Sequence, residues 1–235
     1  MSNAKPPSTD LLPHIDAPWF RVCHNLLYLP YHALFTLGSS LRVQGKANMP
    51  RTGPALVVAN HESYLDPLLI GLAADRPLVY LARRTLFRNR CFAAMIRFLN
   101  AVPIDQEGLG LGGIRTILTQ IKLGRAVAMF PEGSRTPNGS MLPLMPGVHL
   151  LMRRTRAPIV PVGIAGAYDA WPIWRKYPLP APLFWPGVKR TIAVSLGKPV
   201  DSTRFAGLPR EQALRELFDI IHQEKERAEK LRRHT

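Results

Sequence analysis

Two short apolar runs, each followed at once by polar side chains, constrain the fold of this 235-residue chain more than any other feature. The first run is residues 54–59, followed by the polar segment 60–66, and the second is residues 126–130, followed by 131–139. Their length and composition predict two buried strands. In α/β folds the segments that follow neighbouring strands meet at one edge of the sheet, where ligands bind. The sequence therefore predicts an α/β fold with a site built from both polar segments.

The first polar segment, Asn-His-Glu-Ser-Tyr-Leu-Asp, places His61 and Asp66 five residues apart. Pro67 suits the first position of a helix and Asp66 suits its N-cap, so the histidine is predicted to lie in a turn between strand and helix. A carboxylate that folds back can orient the imidazole as a general base for an incoming hydroxyl. The alternative is that this spacing arises by chance and that Asp66 only caps its helix.

The second polar segment contains Glu132-Gly133-Ser134-Arg135. A glutamate and an arginine separated by small residues can hydrogen-bond a hydroxyl and bind a phosphate, since the guanidinium presents a fork of donors to that anion. Neither serine, Ser63 or Ser134, lies in a Gly-x-Ser-x-Gly sequence, so neither is predicted to be a nucleophile.

These two segments and Ile159-Val160-Pro161-Val162 resemble three ordered motifs of the glycerolipid acyltransferase family, typified by lysophosphatidic acid acyltransferase. The resemblance covers roughly residues 41–200 and is specific because the motifs occur together in order. It implies a mixed, largely parallel sheet flanked by helices. It also implies transfer of a fatty acyl group from acyl-CoA or acyl carrier protein to a lysophospholipid, with lysophosphatidic acid as the first expected acceptor and phosphatidic acid as its product. No cofactor and no metal are implied.

The resemblance also implies roles for individual residues. His61 would remove the proton of the acceptor hydroxyl, and Asp66 would orient His61. The oxyanion of the tetrahedral intermediate needs hydrogen-bond donors. Backbone amides near Gly133, or at the start of the helix that Asp66 begins, are the candidates.

The acceptor is expected to contact a second group of residues. Glu132 would hydrogen-bond its glycerol and Arg135 its phosphate, with help from Arg83 and Arg84. One position departs from the family, which usually has arginine directly after Asp105, where this chain has Gln106. An amide supplies no charge to a phosphate. The departure therefore leaves open a different lyso-lipid or glycerol-type acceptor, or a lipid-binding protein of the same fold without turnover.

The chain is strongly basic, with 31 Lys and Arg against 16 Asp and Glu and a net charge of +15. Such a charge attracts an anionic membrane surface, phosphorylated substrates or an acidic carrier protein. No nucleic-acid-binding module is recognisable, so no specific nucleic acid is expected. Cys23 and Cys91 form no metal-binding or disulfide pattern, which favours a reducing compartment. We expect a peripheral protein at the cytoplasmic face of the inner or plasma membrane.

Three parts of the chain are predicted. Residues 1–17, polar and rich in proline, are expected to be a flexible tail, and residues 18–40 a membrane-interface helical segment. The cleanly apolar part of that segment, about a dozen residues, is too short to span a bilayer. One or two short helices broken at Pro30 are expected there, with a helix packed on the core as the alternative. Residues 41–235 are expected to form the acyltransferase domain.

Several further elements carry specific expectations. Residues 83–98 are predicted to form one helix with arginines beside an apolar stripe. Pro161 lacks a donor and implies an edge, a bulge or an opening in its strand. A closing helix over about 209–233 is expected to dock and then fray.

Two segments leave alternatives open. The loop 168–188 contains three tryptophans, which either meet lipid headgroups or fold back on the core. Gly108 to Gly113 matches a dinucleotide fingerprint, but residues 105–107 separate it from the preceding strand, which argues against nucleotide binding.

Overall fold

The computed structural model describes residues 12, 14–104, 110–183 and 190–232. The strands of this part are β1 (Arg42–Gln44), β2 (Ala55–Ala59), β3 (Val79–Arg83), β4 (Ala101–Ile104), β5 (Ala126–Met129), β6 (Ile159–Ala165) and β7 (Ala193–Leu196). The α-helices are α1 (Pro18–Ser39), α2 (Asp66–Ala74), α3 (Arg90–Phe98), α4 (Leu111–Lys122), α5 (Gly147–Arg154), α6 (Ala167–Ala170) and α7 (Arg210–Leu231). Short 3₁₀ helices cover Lys46–Asn48, Arg84–Phe87 and Ser202–Phe205.

The strands form one sheet in the order β1-β7-β6-β2-β5-β3-β4. Every pair of neighbours is parallel except β6 and β7, which run antiparallel. The expected fold class, a mixed and largely parallel sheet flanked by helices, is thus confirmed. The expected adjacency is confirmed too, because β2 pairs with β5 and Val58 lies opposite Met129. The two polar segments therefore leave neighbouring strands at the same edge of the sheet.

Alternate residues of β2 separate the two hydrophobic layers, because successive side chains of a strand point to opposite faces. Leu56 and Val58 pack with α4, α5 and α7, while Val57 and Ala59 pack with α2 and the inner side of α1. All five residues of β2 are buried. The strand that precedes His61 is therefore covered on both faces, which holds the start of the polar segment in place.

Pro161 lies in the central strand β6 rather than at an edge. Val162 pairs with Leu196, whereas Ile159 pairs with Val200, so residues 197–199 oppose only residues 160–161. This extra residue is a β-bulge. The carbonyl of Pro161 accepts from the Gly197 amide, so the missing donor of the proline falls where the regular ladder with β7 has ended. The bulge is one of the alternatives that the sequence predicts.

The N-terminal region differs from two expectations. In the described part of the expected tail, Leu12 and Ile15 are buried in the core, and Arg125 donates hydrogen bonds to the Leu12 carbonyl and to Asp16. The segment 18–39 is one helix that continues through Pro30. None of the helices in the described residues combines the length and apolarity needed to cross a membrane.

The predicted helix over 83–98 is divided. Arg83 ends β3, a 3₁₀ helix covers Arg84–Phe87, and α3 begins at Arg90 with Asn89 as its cap. The Asn89 side chain accepts from the amide of Phe92 at 3.0 Å, which satisfies a free donor of the first turn of α3.

The closing helix docks along its length rather than fraying. Ala228 is fully buried, and Arg232 binds Asp169 at 2.8 Å. Trp171 folds back on the core while Trp174 is 68% exposed, and Trp185 lies outside the described residues.

Candidate active site

His61 lies directly beyond the end of β2 and is held by Asp66 and Phe130. Its Nδ1 lies 2.7 Å from Asp66 Oδ2, and its ring stacks on Phe130 with centroids 4.0 Å apart. An ionised carboxylate only accepts, so Nδ1 carries the proton and Nε2 keeps its lone pair. Nε2 makes no hydrogen bond to the described residues, and the side chain is 18% exposed. The imidazole is thus oriented to accept a proton at Nε2.

The Asp66 carboxylate is fully buried and turns back toward the segment that precedes it. Oδ2 accepts from the amides of Glu62 at 2.6 Å and Ser63 at 2.8 Å as well as from His61. The expected N-cap role is wrong, because α2 begins at Asp66 and no side chain caps its first turn. These bonds shape the turn so that the five-residue spacing brings ring and carboxylate together.

Glu132 connects the two polar segments. Its Oε1 accepts from the His61 amide at 2.8 Å and its Oε2 from the Leu142 amide at 2.6 Å. The His61 carbonyl in turn accepts from the amide of Thr136 at 2.9 Å. Burial raises the pKa of Glu132 to about 7, against the opposing effect of its two amide bonds. In this structure Glu132 holds the backbone of His61. Each of its carboxylate oxygens already accepts one amide hydrogen, so the acceptor contact expected from the sequence would use the remaining lone pair of an oxygen.

Glu62 and Lys225 form a buried ion pair beneath the same turn. Lys225 Nζ, from α7, lies 2.9 Å from Glu62 Oε1 and donates to the Gly139 carbonyl at 2.5 Å. Glu62 Oε2 accepts from the Tyr168 amide at 3.2 Å. Burial raises the pKa of Glu62 to about 7, although Lys225 opposes the shift. Nothing in the sequence indicates this pair, because the lysine lies 163 residues beyond the glutamate in an ordinary charged helix.

Arg135 stacks on Tyr64. Its Cζ lies 3.4 Å from the Tyr64 ring centroid, and its Nη1 is buried without a hydrogen-bond partner. Gly133 has a φ of +75°, and a Cβ there would meet the sulfur of Met145 at 2.4 Å, so this position requires glycine. The glycine thus allows the turn that brings Arg135 back over the first segment.

Arg83 and Arg84 lie farther from His61. They are exposed at the end of β3, which is separated from β2 by β5. They share the sheet edge with the site. Asp105 and Gln106, as well as part of the Gly108–Gly113 fingerprint, lie outside the described residues.

Two of the amides expected as oxyanion donors are engaged within the turns themselves. The Gly133 amide donates to the Phe130 carbonyl at 3.1 Å, and the Asp66 amide to the Ser63 carbonyl at 3.4 Å. The other amides near Gly133 and in the first turn of α2 remain the predicted donors.

The arrangement defines a class of site: a histidine paired with a buried carboxylate at the strand ends of an α/β fold, with an arginine stacked on a tyrosine of the same segment. Comparison with known proteins adds the family. The family model described as Acyltransferase matches residues 40–165, which is more than half of the chain. This chain belongs to that acyltransferase family.

The chain is also similar to individual acyltransferases whose names state their acceptor. The chain is 25% identical over 205 residues to 1-acyl-sn-glycerol-3-phosphate acyltransferase of Bacillus subtilis, covering 87% of this chain and 94% of that protein. It is 32% identical over 155 residues to the alpha form of Mus musculus, covering 61% of this chain and 52% of the mouse protein. The crystal structure of the 1-acyl-sn-glycerophosphate (LPA) acyltransferase PlsC from Thermotoga maritima is similar with a TM-score of 0.69 and 25% identity, covering 92% of this chain and 81% of that one.

Proposed function

We propose that this protein transfers a fatty acyl group from an acyl thioester to the free hydroxyl of lysophosphatidic acid, producing phosphatidic acid. The observation that carries the proposal is the His61–Asp66 pair, 2.7 Å apart, with Nε2 unengaged by the described residues. The acceptor is the one for which the similar proteins of Bacillus subtilis and Thermotoga maritima are named. The donor is a thioester of coenzyme A or of acyl carrier protein, and no cofactor is needed because a thioester carbonyl is attacked directly.

The reaction proceeds by proton removal and substitution at the carbonyl carbon. Nε2 of His61 takes the hydroxyl proton, and the oxygen forms a bond to the thioester carbon. The resulting tetrahedral intermediate collapses with cleavage of the carbon–sulfur bond. The leaving thiolate takes the proton back from the imidazolium, whose charge Asp66 stabilises at Nδ1.

The phosphate of the acceptor is assigned to Arg135. Arg135 directly precedes Thr136, whose amide binds the His61 carbonyl, and its guanidinium stacks on Tyr64, three residues after His61. A fork of donors suits a phosphate monoester. Arg83 and Arg84, at the same sheet edge, are proposed to attract the anion from farther away.

The test is thiol release from palmitoyl-coenzyme A and from palmitoyl acyl carrier protein with lysophosphatidic acid as acceptor. His61→Ala should lower the rate by about a hundredfold or more, the usual effect of losing a general base. His222→Ala is the matched control, since that side chain is 47% exposed on α7. A His61→Ala rate within about threefold of wild type would refute the mechanism, and the donor that supports turnover identifies the carrier.

We also propose that residues 18–40 attach the protein to an anionic membrane from its cytoplasmic side. Val22, Leu26, Leu29 and Leu37 form an exposed apolar stripe on α1, with Leu29 at 72% exposure. Phe20, on the buried face of α1, meets Phe98 of α3 with ring centroids 5.8 Å apart, so α3 lies beside the N-terminal part of α1. That helix adds Phe92 and Met95, both exposed, beside its arginines.

Vesicle cosedimentation tests the attachment. Wild type should bind vesicles that contain phosphatidylglycerol better than neutral ones, because of the net charge of +15. Changing both Leu26 and Leu29 to serine should weaken binding to both. Leu123→Ser, at the end of α4 with 45% exposure, is the control that should leave binding unchanged. Equal binding by the double variant and wild type would refute the assignment of α1.

A further inference from the structure

Arg135 is a half-buried cation without an acidic partner among the described residues. Its guanidinium lies over the ring of Tyr64, and Nη1 is closed off from solvent with no hydrogen-bond partner. Two buried carboxylates of the site are engaged otherwise: Glu132 binds two backbone amides, and Asp66 binds His61 and two amides. The positive charge of Arg135 is therefore held by an aromatic face rather than by a counter-ion.

Tyr64 itself is held by a second contact. Its ring lies 5.2 Å from the ring of Trp171, and the neighbouring Ser63 hydroxyl donates to the Trp171 carbonyl at 2.9 Å. The indole of Trp171 donates to the Arg175 carbonyl at 2.9 Å. The stack of Arg135 on Tyr64 thus contacts Trp171, which directly follows α6 and whose ring is tilted by 47° to that of Tyr64, although Tyr64 is 51% exposed.

The stack lies beside the general base. Tyr64 is three residues after His61, and Arg135 directly precedes Thr136, whose amide binds the His61 carbonyl. The N–H groups of a guanidinium lie in its plane, so a guanidinium stacked on a ring donates only from its edge. Its free N–H groups therefore point in fixed directions toward a ligand. An anion bound there lies within reach of an acceptor whose hydroxyl meets His61.

We propose that Tyr64 is a positioning residue for Arg135, which makes the site selective for acceptors that carry an anionic phosphate. The inference rests on the proposed acyl transfer and deepens it. The ring excludes water from one face of the guanidinium and restricts its rotamers before the acceptor binds, so less ordering remains to be done on binding. Cation–π stacking of this kind corresponds to roughly a twofold to thirtyfold change in binding, depending on desolvation.

The test compares Tyr64→Leu with Tyr64→Phe, which keeps the ring. Lysophosphatidic acid and an uncharged 1-monoacylglycerol serve as acceptors. Tyr64→Leu should raise KM for lysophosphatidic acid about three- to thirtyfold with kcat within about twofold. It should leave KM for monoacylglycerol unchanged, and Tyr64→Phe should resemble wild type. In an Arg135→Gln background Tyr64→Leu should have no further effect on KM.

Other outcomes overturn the inference. An equal rise in KM for both acceptors, a loss of kcat alone, or an undiminished effect in the Arg135→Gln background would show that Tyr64 only supports the local structure. If wild type acylates neither acceptor, the proposed function fails, and calorimetric binding of sn-glycerol 3-phosphate still decides the role of Tyr64. Binding weakened by Tyr64→Leu but not by Tyr64→Phe supports it, whereas unchanged or absent binding refutes it.

Discussion

Replacing Lys225 by methionine tests how the C-terminal helix supports the active site. This lysine lies outside residues 40–165, which the family model matches, yet its ammonium group contacts both polar segments. It binds the Glu62 carboxylate at 2.9 Å, in the residue after His61, and the Gly139 carbonyl beyond Arg135. Methionine keeps the length and apolar stem of the side chain, so the change removes mainly the charge and its hydrogen bonds.

The magnitude follows from the burial of Glu62. Its side chain is 4% exposed, and without Lys225 no cation among the described residues remains bound to it. Removing one partner of a buried ion pair costs about 3–5 kcal/mol. Because the pKa of Glu62 is already about 7, the carboxyl group can take up a proton at neutral pH, which favours the lower end, about 3 kcal/mol. For a chain of this length that corresponds to a fall of about 6–12 °C in Tm.

Thermal unfolding followed by circular dichroism measures this effect, with Lys230→Met, exposed on the same helix, as the matched control. The double variant Lys225→Met with Glu62→Gln removes both charges of the pair, so it should recover at least half of the lost stability. Thiol release should fall in Lys225→Met and recover in the same double variant. A fall in Tm below about 3 °C, or a double variant no more stable than Lys225→Met alone, would refute the reasoning.

Three other predictions follow from the same contacts. Asp66→Asn should lower kcat at least a hundredfold with KM within about twofold, because an amide no longer selects the correct imidazole tautomer; steady-state kinetics that show an unchanged kcat would contradict this. The folded-state pKa of Glu62 is raised from 4.5 to about 7, so its contribution to stability is complete below about pH 4.5 and is lost as the pH rises through 7. In urea unfolding, the free energy of unfolding of Glu62→Gln relative to that of wild type should therefore rise by up to about 3 kcal/mol between pH 5 and pH 8. A difference that does not change with pH would disprove the burial argument. Gly163→Ala would place a Cβ 2.0 Å from the Glu224 carbonyl carbon of α7 and should destabilise by about 3 kcal/mol or more, whereas Gly112→Ala, with nothing within 4 Å, should be neutral or stabilising in the same melts.

Local chemistry was sufficient to predict the sheet and the centre of the site. The apolar runs before His61 and Glu132 are buried strands, and they are neighbours in the sheet. This adjacency could be predicted because the sites of α/β folds lie at the carboxyl ends of neighbouring strands. The absent donor of Pro161 predicted an irregularity, which is the bulge opposite residues 197–199. In each case the signal resides in a few adjacent residues whose backbone needs are fixed by sterics and hydrogen bonding.

Contacts between distant segments could not be predicted in this way. Tyr64 is an ordinary aromatic residue in the sequence, and only the fold places the Arg135 guanidinium 3.4 Å from its ring centroid. The continuity of α1 through Pro30 likewise depends on packing, since Tyr28 and Phe35 on either side of the proline pack on the same core layer. Tertiary contacts here outweigh the local preference for a break.

The hydrogen bonds of Glu132 give this residue a structural role in the site. A glutamate beside an arginine was expected to meet the acceptor, but its carboxylate fixes the His61 amide from the neighbouring strand, 71 residues away. Asp66 fixes the ring of His61, and Thr136 fixes its carbonyl. His61 is therefore held at three points by two segments that converge only in the parallel sheet. The position of the His61 side chain depends on the pairing of β2 with β5 as much as on Asp66, because a shift of β5 against β2 would move the backbone of His61.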